Sequence, residues 1–287
     1  MTAADNNMPM RNQVMLITGA STGIGEALAV DLARRGVKVV LTARRLAELQ
    51  RVESAIRASG GQALALPCDV TRREDNVRVV NDTIRHFGAL DGLILNAGAT
   101  MWARFEDIED PAMLERLMQV NYMGAVYGVH AALPHLKKTR GRIVGIASLT
   151  ALTGVPTRSG YAASKHAMRG FFDSLRIELK PSGVSVTMIY PGFVATGIRE
   201  NATAANGESA KIDPVDPKKV MSVDECVSLI VPAIESRQRE VVMTGKAKLA
   251  QWVKLIAPEW VDGMAAQAVA ANQAHVDRQL DALGKRA

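Results

Sequence analysis

The sequence contains little cysteine, few aromatic residues and no long apolar run. Its two cysteines, Cys68 and Cys226, lie far apart, which argues against a disulfide framework or a zinc site. This cysteine usage is compatible with a reducing compartment, and we expect a cytoplasmic protein. No apolar run approaches the length of a membrane span, and the run at residues 14–17 is too short for the core of a signal peptide.

The charge pattern indicates a small anionic partner. Of the 287 residues, 48% are hydrophobic and 22% charged, which is enough apolar material for a large core. The formal charge is +6, but lysine and arginine never form a run, and no basic stripe with interleaved aromatics indicates nucleic-acid binding. We expect no metal, because four histidines form no ligand cluster: His86, His130, His135 and His166.

Short β-branched runs alternate with amphipathic stretches from residue 13 to about 243. This alternation predicts an α/β fold, a Rossmann-like doubly wound parallel sheet with helices on both faces, as a single domain over residues 13–245. Seven runs are apolar throughout, as expected of strands covered on both faces. These predicted strands are residues 14–18, 37–42, 63–68, 92–95, 142–147, 184–190 and 240–243.

Local signals mark where several helices begin and end. Pro111 suits the first turn of a long helix that reaches about Leu136. Two pairs have the spacing of a capping box, namely Thr71 with Glu74 and Ser222 with Glu225. Three glycines fit helix-to-strand exits, where a positive φ is often needed: Gly36, Gly60 and Gly183.

Three segments fall outside the regular alternation. Residues 1–12 are expected to be disordered or extended. Residues 195–220 are rich in Asn, Ala, Gly and Pro and longer than ordinary connections, which indicates a substrate lid or, alternatively, a disordered surface insertion. Residues 246–287 form a predicted C-terminal helical extension, packed on the core or on a second subunit. Membrane contact through Trp252 and Trp260 is less favoured, because no dense basic face accompanies them.

A glycine-rich turn follows the first predicted strand and opens a helix. The segment runs Thr18-Gly19-Ala20-Ser21-Thr22-Gly23-Ile24-Gly25. In this context the glycines permit a tight turn, close approach of the backbone to a pyrophosphate, and close packing of helix on strand. The helix N-terminus supplies unpaired N–H groups and a positive dipole for phosphates. The strand, turn and helix together predict dinucleotide binding.

The end of the second predicted strand indicates which dinucleotide is bound. A carboxylate there would hold the ribose hydroxyls, whereas an arginine would accommodate a 2′-phosphate. The chain has no acid at this point and reads Thr42-Ala43-Arg44-Arg45. The sequence therefore favours NADP(H) over NAD(H), the alternative being that Arg44 and Arg45 begin a solvated helix.

Tyr161 and Lys165 are four residues apart, one helical turn, so both side chains should lie on one helix face. Of the four tyrosines only Tyr161 has a lysine at this spacing, although chance alone could supply one such pair. A phenol has a pKa of about 10, and a neighbouring ammonium favours its ionised form. The pair can therefore act as a tuned proton donor and acceptor.

Several motifs in this order resemble the short-chain dehydrogenase/reductase family over about residues 13–245. They are the TGxxxGIG turn at 18–25, the NAG segment at 96–98, Asn121, Ser148, Tyr161 with Lys165, and Pro191-Gly192. Two departures stand out. Leu95 replaces a second asparagine found in many members, and Ser21 and Thr22 replace a basic residue of some NADP-using relatives.

The resemblance implies catalytic roles for four residues. Tyr161 is the expected acid/base, and Lys165 is expected to assist it and to bond the nicotinamide ribose. Ser148 is expected to donate a hydrogen bond to the substrate oxygen. Asn121 is expected to hold a water connected to the lysine, completing a proton path to solvent.

The resemblance also implies the residues that contact cofactor and substrate. Expected cofactor residues are Gly19, Ser21, Thr22, Gly23, Ile24, Gly25, Arg44, Arg45, Asp69, Val70, Asn96, Ala97, Gly98, Tyr161, Lys165, Pro191, Gly192, Val194 and Thr196. Expected substrate contacts are Ser148, Thr150, Tyr161 and Phe193. The expected pocket walls are largely apolar and favour a hydrophobic substrate: Met101, Trp102, Thr150, Leu152, Val155 and Phe193.

Three function classes follow from these observations. The favoured one is an NADP(H)-dependent oxidoreductase acting on a carbonyl or secondary alcohol, as a homodimer or homotetramer. A non-catalytic NADP(H)-binding sensor of the same fold is the alternative, and it is disfavoured because Ser148, Tyr161 and Lys165 are all present. An epimerase or dehydratase acting on a nucleotide sugar would need a larger C-terminal domain.

Overall fold

A seven-stranded parallel sheet forms the centre of the protein. The structure is a computed structural model that describes residues 9–199, 201–211, 215 and 217–282, with side chains described as far as 272. The strands lie in the order β3-β2-β1-β4-β5-β6-β7 and every neighbouring pair is parallel. They are β1 Val14–Thr18, β2 Lys38–Ala43, β3 Gln62–Pro67, β4 Gly92–Leu95, β5 Arg142–Ile146, β6 Ser185–Tyr190 and β7 Glu240–Val242.

All seven predicted strands are present. β1 and β4 have the predicted bounds, and the other five differ by one residue at one or both ends. The strands of this sheet are apolar because helices cover both faces. The predicted doubly wound α/β fold is confirmed.

Two apolar layers hold the helices on the sheet. One layer includes Leu28 and Leu32 together with Ile230, and the other includes Val129 and Phe172, all almost fully buried. The helices are α1 Gly23–Arg34, α2 Leu46–Ala58, α3 Arg73–Phe87, α4 Ala112–Met118, α5 Gly124–Thr139, α6 Ser159–Leu179, α7 Val223–Glu235, α8 Gly245–Val253 and α9 Pro258–Ala282.

One of the two predicted capping boxes is wrong. Ser222 caps α7, where its Oγ accepts a hydrogen bond from the Glu225 amide at 3.1 Å. Thr71 does not cap α3, which begins two residues later at Arg73. The reason is that the Asp69 carboxylate accepts bonds from both the amide and the hydroxyl of Thr71, at 3.0 and 2.8 Å.

The long helix predicted from Pro111 is divided. Pro111 immediately precedes α4, and a π-helical turn at Gln119–Met123 joins α4 to α5, which ends at Thr139. Such turns are rare and often occur at functional sites. The predicted positive φ angles are present at the three helix-to-strand exits: Gly36 at 77°, Gly60 at 81° and Gly183 at 74°.

The segments outside the alternation are only partly described. Residues 9–12 form turns, and Met10 is buried in the core, 1% exposed. Residues 1–8, 200, 212–214, 216 and 283–287 lie outside the described part, so the corresponding portions of the predicted N-terminal segment, lid and extension are not assessed. Within the lid, Thr203 pairs with Met101 and with Ser209, which anchors its middle to the loop after β4.

The C-terminal extension consists of α8 and α9. Val261 is buried, whereas Trp252, Ile256 and Trp260 are 67%, 89% and 57% exposed. Among the described residues, no helix combines the length and the apolar character that crossing a membrane requires.

Candidate active site

A cavity of about 1030 Å³ opens at the carboxyl edge of the sheet. Its walls come from the segments that follow β1 to β6. β1 and β4 are neighbours here, and the chain turns away from them in opposite directions along the sheet, toward β2 and toward β5. Ligands of doubly wound proteins bind at such a point of strand-order reversal. Every predicted cofactor residue except Gly25 lines this cavity.

The glycine turn brings the start of α1 to the cavity. Gly19 and Gly23 have φ angles of 66° and 60°, a region that side chains disfavour. A Cβ added to Gly25 would lie 2.3 Å from the Gly19 carbonyl oxygen, so only glycine permits this approach. Thr22 is the N-cap of α1 but its side chain makes no capping bond, which leaves the first amides of the helix for a ligand.

Hydrogen bonds tie this turn to the loop after β4. The Thr18 hydroxyl accepts bonds from the amides of Asn96 and Ala97, both at 3.0 Å. Asn96 Nδ2 donates to the carbonyls of Thr18 and Gly19, at 3.1 and 3.0 Å. The asparagine therefore has a structural role at the rim of the cavity.

Arg51 is a supporting residue that sequence reasoning missed. Its guanidinium makes two 2.8 Å bonds to the Glu26 carboxylate and a 3.3 Å bond to the Ser21 carbonyl. These contacts connect α2 to the glycine turn. They join residues 25 and 30 positions apart, for which the sequence carries no local signal.

The end of β2 presents two arginines to the cavity. Arg44 and Arg45 are both exposed, both line the cavity, and neither makes an ion pair with a described residue. Asp69 and Val70 line the adjoining wall. The amide of Asp69 donates to Asp75 at 2.8 Å, and this bond, with Arg78 nearby, holds the pKa of the Asp75 carboxyl below its usual range.

Tyr161, Lys165 and Ser148 line one wall of the cavity. Tyr161 and Lys165 lie in the first turns of α6, where they are 8% and 3% exposed. Lys165 Nζ donates to the Ile146 carbonyl at 3.0 Å and lies 5.8 Å from the centre of the Tyr161 ring. Ser148 Oγ accepts a bond from the Thr150 amide at 3.2 Å, so its hydroxyl proton is available to an acceptor in the cavity.

Burial has a large effect on Lys165. Desolvation lowers the pKa of its ammonium from 10.5 to about 8, because the charged form loses water and faces no carboxylate among the described contacts.

Asn121 joins α6 to the loop after β4. Its side chain lies in the π-helical turn, is 1% exposed, accepts from the Ala99 amide at 2.8 Å and donates to the Ala99 carbonyl at 2.9 Å. It also donates to Ser164 Oγ at 2.8 Å, and Ser164 Oγ donates to the Tyr161 carbonyl at 2.7 Å. Both N–H donors of the Asn121 side chain are therefore used, and the side chain links Ala99 to Ser164.

Most of the residues predicted to wall the substrate pocket do not line this cavity. Phe193 lines the cavity together with Ser148 and Tyr161, but the other five predicted wall residues do not: Met101, Trp102, Thr150, Leu152 and Val155. Thr150 is 5% exposed because the short helical turn Leu149–Ala151 packs into the core. Sequence reasoning missed several residues that do line this side, namely Arg116, Gln119, Arg158, Ile198, Arg199 and Asn201.

A doubly wound sheet whose glycine turn and Ser-Tyr-Lys cluster share one cavity defines a nucleotide-dependent oxidoreductase class. The family described as short chain dehydrogenase matches residues 13–207. The chain belongs to this short-chain dehydrogenase/reductase family, whose members use a nicotinamide cofactor.

Individual relatives cover most of the chain. The Arabidopsis thaliana protein "11-beta-hydroxysteroid dehydrogenase 1A" is 37% identical over 258 residues, covering 87% of this chain and 73% of its own. The "11-beta-hydroxysteroid dehydrogenase-like 4A" of the same plant is 38% identical over 251 residues, covering 87% and 82%. A solved Burkholderia phymatum short-chain dehydrogenase/reductase has a TM-score of 0.77 at 24% identity, covering 88% of this chain and 96% of that one, which establishes likeness of fold.

Replacing Gly25 with alanine should destabilise the protein, because the new methyl would meet the Gly19 carbonyl and lie 2.5 Å from Asn96 Nδ2. We expect the free energy of unfolding to fall by about 1–3 kcal/mol. Gly170→Ala on α6 is the matched control, since nothing lies within 4 Å of that position and alanine should stabilise the helix by about 0.5–1 kcal/mol. Denaturant unfolding measures both variants, and effects of the same sign would contradict the close approach.

Lys165→Met should stabilise the cofactor-free protein at neutral pH. Below pH 8 the Lys165 ammonium of the folded wild type stays protonated although it is desolvated, which lowers the free energy of unfolding. Between about pH 8 and 10.5 the unfolded state binds more protons than the folded state, so the free energy of unfolding rises with pH and this loss of stability disappears. The difference should reach up to about 3 kcal/mol below pH 8 and shrink above it. Urea unfolding at several pH values tests this, with exposed Lys248→Met as control. A difference that does not change with pH would contradict it.

Proposed function

We propose that this protein is an NADP(H)-dependent oxidoreductase that interconverts a carbonyl and a secondary alcohol. The observation that carries the proposal is that Ser148, Tyr161 and Lys165 share one cavity with the glycine turn at the start of α1. The solved B. phymatum relative is described as a complex with NAD, which supports a nicotinamide cofactor in this cavity.

The residues of the cavity fit a dinucleotide. The α1 amides and the glycine turn would hold the pyrophosphate, and Asp69 and Val70 would flank the adenine. Lys165 would bond the nicotinamide ribose, while Val194 and Thr196 would contact the carboxamide. The bound nicotinamide supplies or accepts the hydride.

The protein's own side chains handle the proton. During reduction the Tyr161 hydroxyl gives its proton to the carbonyl oxygen, and during oxidation its phenolate takes the proton of the alcohol. Ser148 donates a hydrogen bond to the same oxygen, where negative charge develops. Lys165 stabilises the phenolate through its positive charge, since its Nζ is 5.8 Å from the ring centre. A water held at the Asn121 turn would return protons to the lysine.

The choice of NADP(H) depends on the segment after β2. Arg44 and Arg45 are exposed on the cavity wall, and the lining at that strand end has no carboxylate among the described residues. An arginine at this position can bind a 2′-phosphate, whereas a carboxylate would repel it.

The substrate is proposed to be a secondary alcohol or ketone on a mainly hydrocarbon frame. Relatives of 37% and 38% identity are named as hydroxysteroid dehydrogenases or as resembling them, and Phe193 and Ile198 give the cavity apolar surface. A panel of steroidal, aliphatic and sugar carbonyls, followed through NADPH absorbance, ranks these classes.

Tyr161→Phe should lower kcat by about 10²–10⁴, because the ring remains while the transferable proton is lost. NADPH binding, measured by fluorescence titration, should change little, since the ring still packs against Met101 and Leu117. Tyr127→Phe, on α5, is the control that removes a phenol elsewhere. Undiminished turnover by Tyr161→Phe would contradict the acid/base assignment.

Arg44→Ala should reduce the preference for NADP(H). Loss of a charged hydrogen bond to the 2′-phosphate should raise the KM for NADPH by about 10- to 100-fold and leave the KM for NADH nearly unchanged. Arg34→Ala, at the opposite end of α1, is the matched control. Equal efficiency of the wild type with both cofactors, or unchanged discrimination in Arg44→Ala, would contradict the proposal.

A further inference from the structure

Arg158 lies between two aromatic rings in the wall of the cavity. Its Cζ atom is 4.1 Å from the centre of the Trp102 ring and 4.7 Å from the centre of the Tyr161 ring. The residue is 6% exposed, lines the cavity and donates a hydrogen bond to the Thr100 hydroxyl. A guanidinium stacked on an aromatic face and removed from water makes a strong electrostatic contact with that ring.

The backbone around this stack is held on both sides. Arg158 is the N-cap of α6, and its carbonyl accepts from the Ala162 amide at 2.8 Å. The preceding Thr157 has a φ of 66°, and its carbonyl accepts from the Ala103 amide at 3.0 Å. The Trp102 amide donates to the Thr203 carbonyl of the lid at 3.0 Å. Main-chain hydrogen bonds from α6, the loop after β4 and the lid thus hold the stack of Trp102, Arg158 and Tyr161 in place.

We propose that Arg158 is a positioning residue that fixes the Tyr161 ring and stabilises its phenolate, an inference that rests on the function proposed above. The guanidinium and the Lys165 ammonium lie 4.7 and 5.8 Å from the same ring centre, so two cations act on one phenol. A nearby positive charge favours the ionised form. During oxidation the Tyr161 phenolate takes the alcohol proton, and the phenol later returns it. Arg158 lowers the free energy of the phenolate.

Two further arginines line the cavity near this ring. From α4 the apolar side chains of Met113 and Leu117 pack against Tyr161, while Arg116 lines the same cavity. The lid adds Arg199, whose guanidinium donates to the Val194 carbonyl.

The test compares Arg158→Met, which removes the charge, with Arg158→Lys, which keeps it without the planar stack. In the oxidation direction, the pH midpoint of kcat/KM should rise by about one unit in Arg158→Met, so the rate falls about tenfold at pH 7 and recovers at high pH. Arg158→Lys should shift by less than half as much. Arg169→Met, on the same helix, should keep the wild-type profile. If Arg158→Met does not fold, Arg158→Gln provides the same comparison.

A second readout separates this inference from the proposed function. Near-ultraviolet phenolate absorbance, taken as the difference between each protein and its Tyr161→Phe counterpart, reports ionisation of Tyr161 without any turnover. A matching upward shift in Arg158→Met supports the role of Arg158 even if the carbonyl panel yields no substrate. A rate loss that is equal at every pH, with an unchanged absorbance midpoint, would overturn it, as would no effect in either measurement.

Discussion

The hydrogen bonds between Thr18 and the loop after β4 hold together the crevice on which the site depends. The strand order reverses between β1 and β4, so their connections diverge and leave a gap at the carboxyl edge. The Thr18 hydroxyl accepts from two backbone amides of the loop after β4, and the Asn96 side-chain amide donates to two carbonyls of the glycine turn, so each rim of the gap bonds to the other. Because the rims are paired with each other, the first amides of α1 take no part in joining them.

Asn121 extends the same connection to α6. The loop after β4 bonds to Asn121 through Ala99, and Asn121 bonds through Ser164 to the Tyr161 carbonyl. Tyr161 is therefore placed relative to the glycine turn by a chain of hydrogen bonds. The π-helical turn that interrupts α4 and α5 is the backbone conformation in which Asn121 makes these contacts, and its cost is offset by satisfying buried polar groups.

The sheet could be predicted from sequence because each buried strand is a continuous apolar run, and runs such as Val14–Thr18 end where the pattern ends. The glycine turn and the Tyr161-Lys165 pair could also be predicted, because the geometry of each depends on residues that are close in sequence. The π-helical turn could not be predicted, because the partners of Asn121 lie 22 and 43 residues away. The burial of Thr150 was not predictable either, because its nearness to Ser148 in sequence does not determine which way a short helical turn faces.

The buried ammonium of Lys165 links the stability of the fold to binding. Three donors on this group find one oxygen among the described contacts, the Ile146 carbonyl, and one weak acceptor, the Met168 sulfur at 3.6 Å. A desolvated charge so sparsely paired destabilises the cofactor-free protein. A ligand that brings hydroxyl oxygens to Nζ supplies the missing acceptors. Part of the free energy lost by burying the ammonium is then recovered when the ligand binds. In the function proposed above, the same poorly paired charge would favour a phenolate at Tyr161, since an ammonium neutralised by a carboxylate would stabilise phenolate far less.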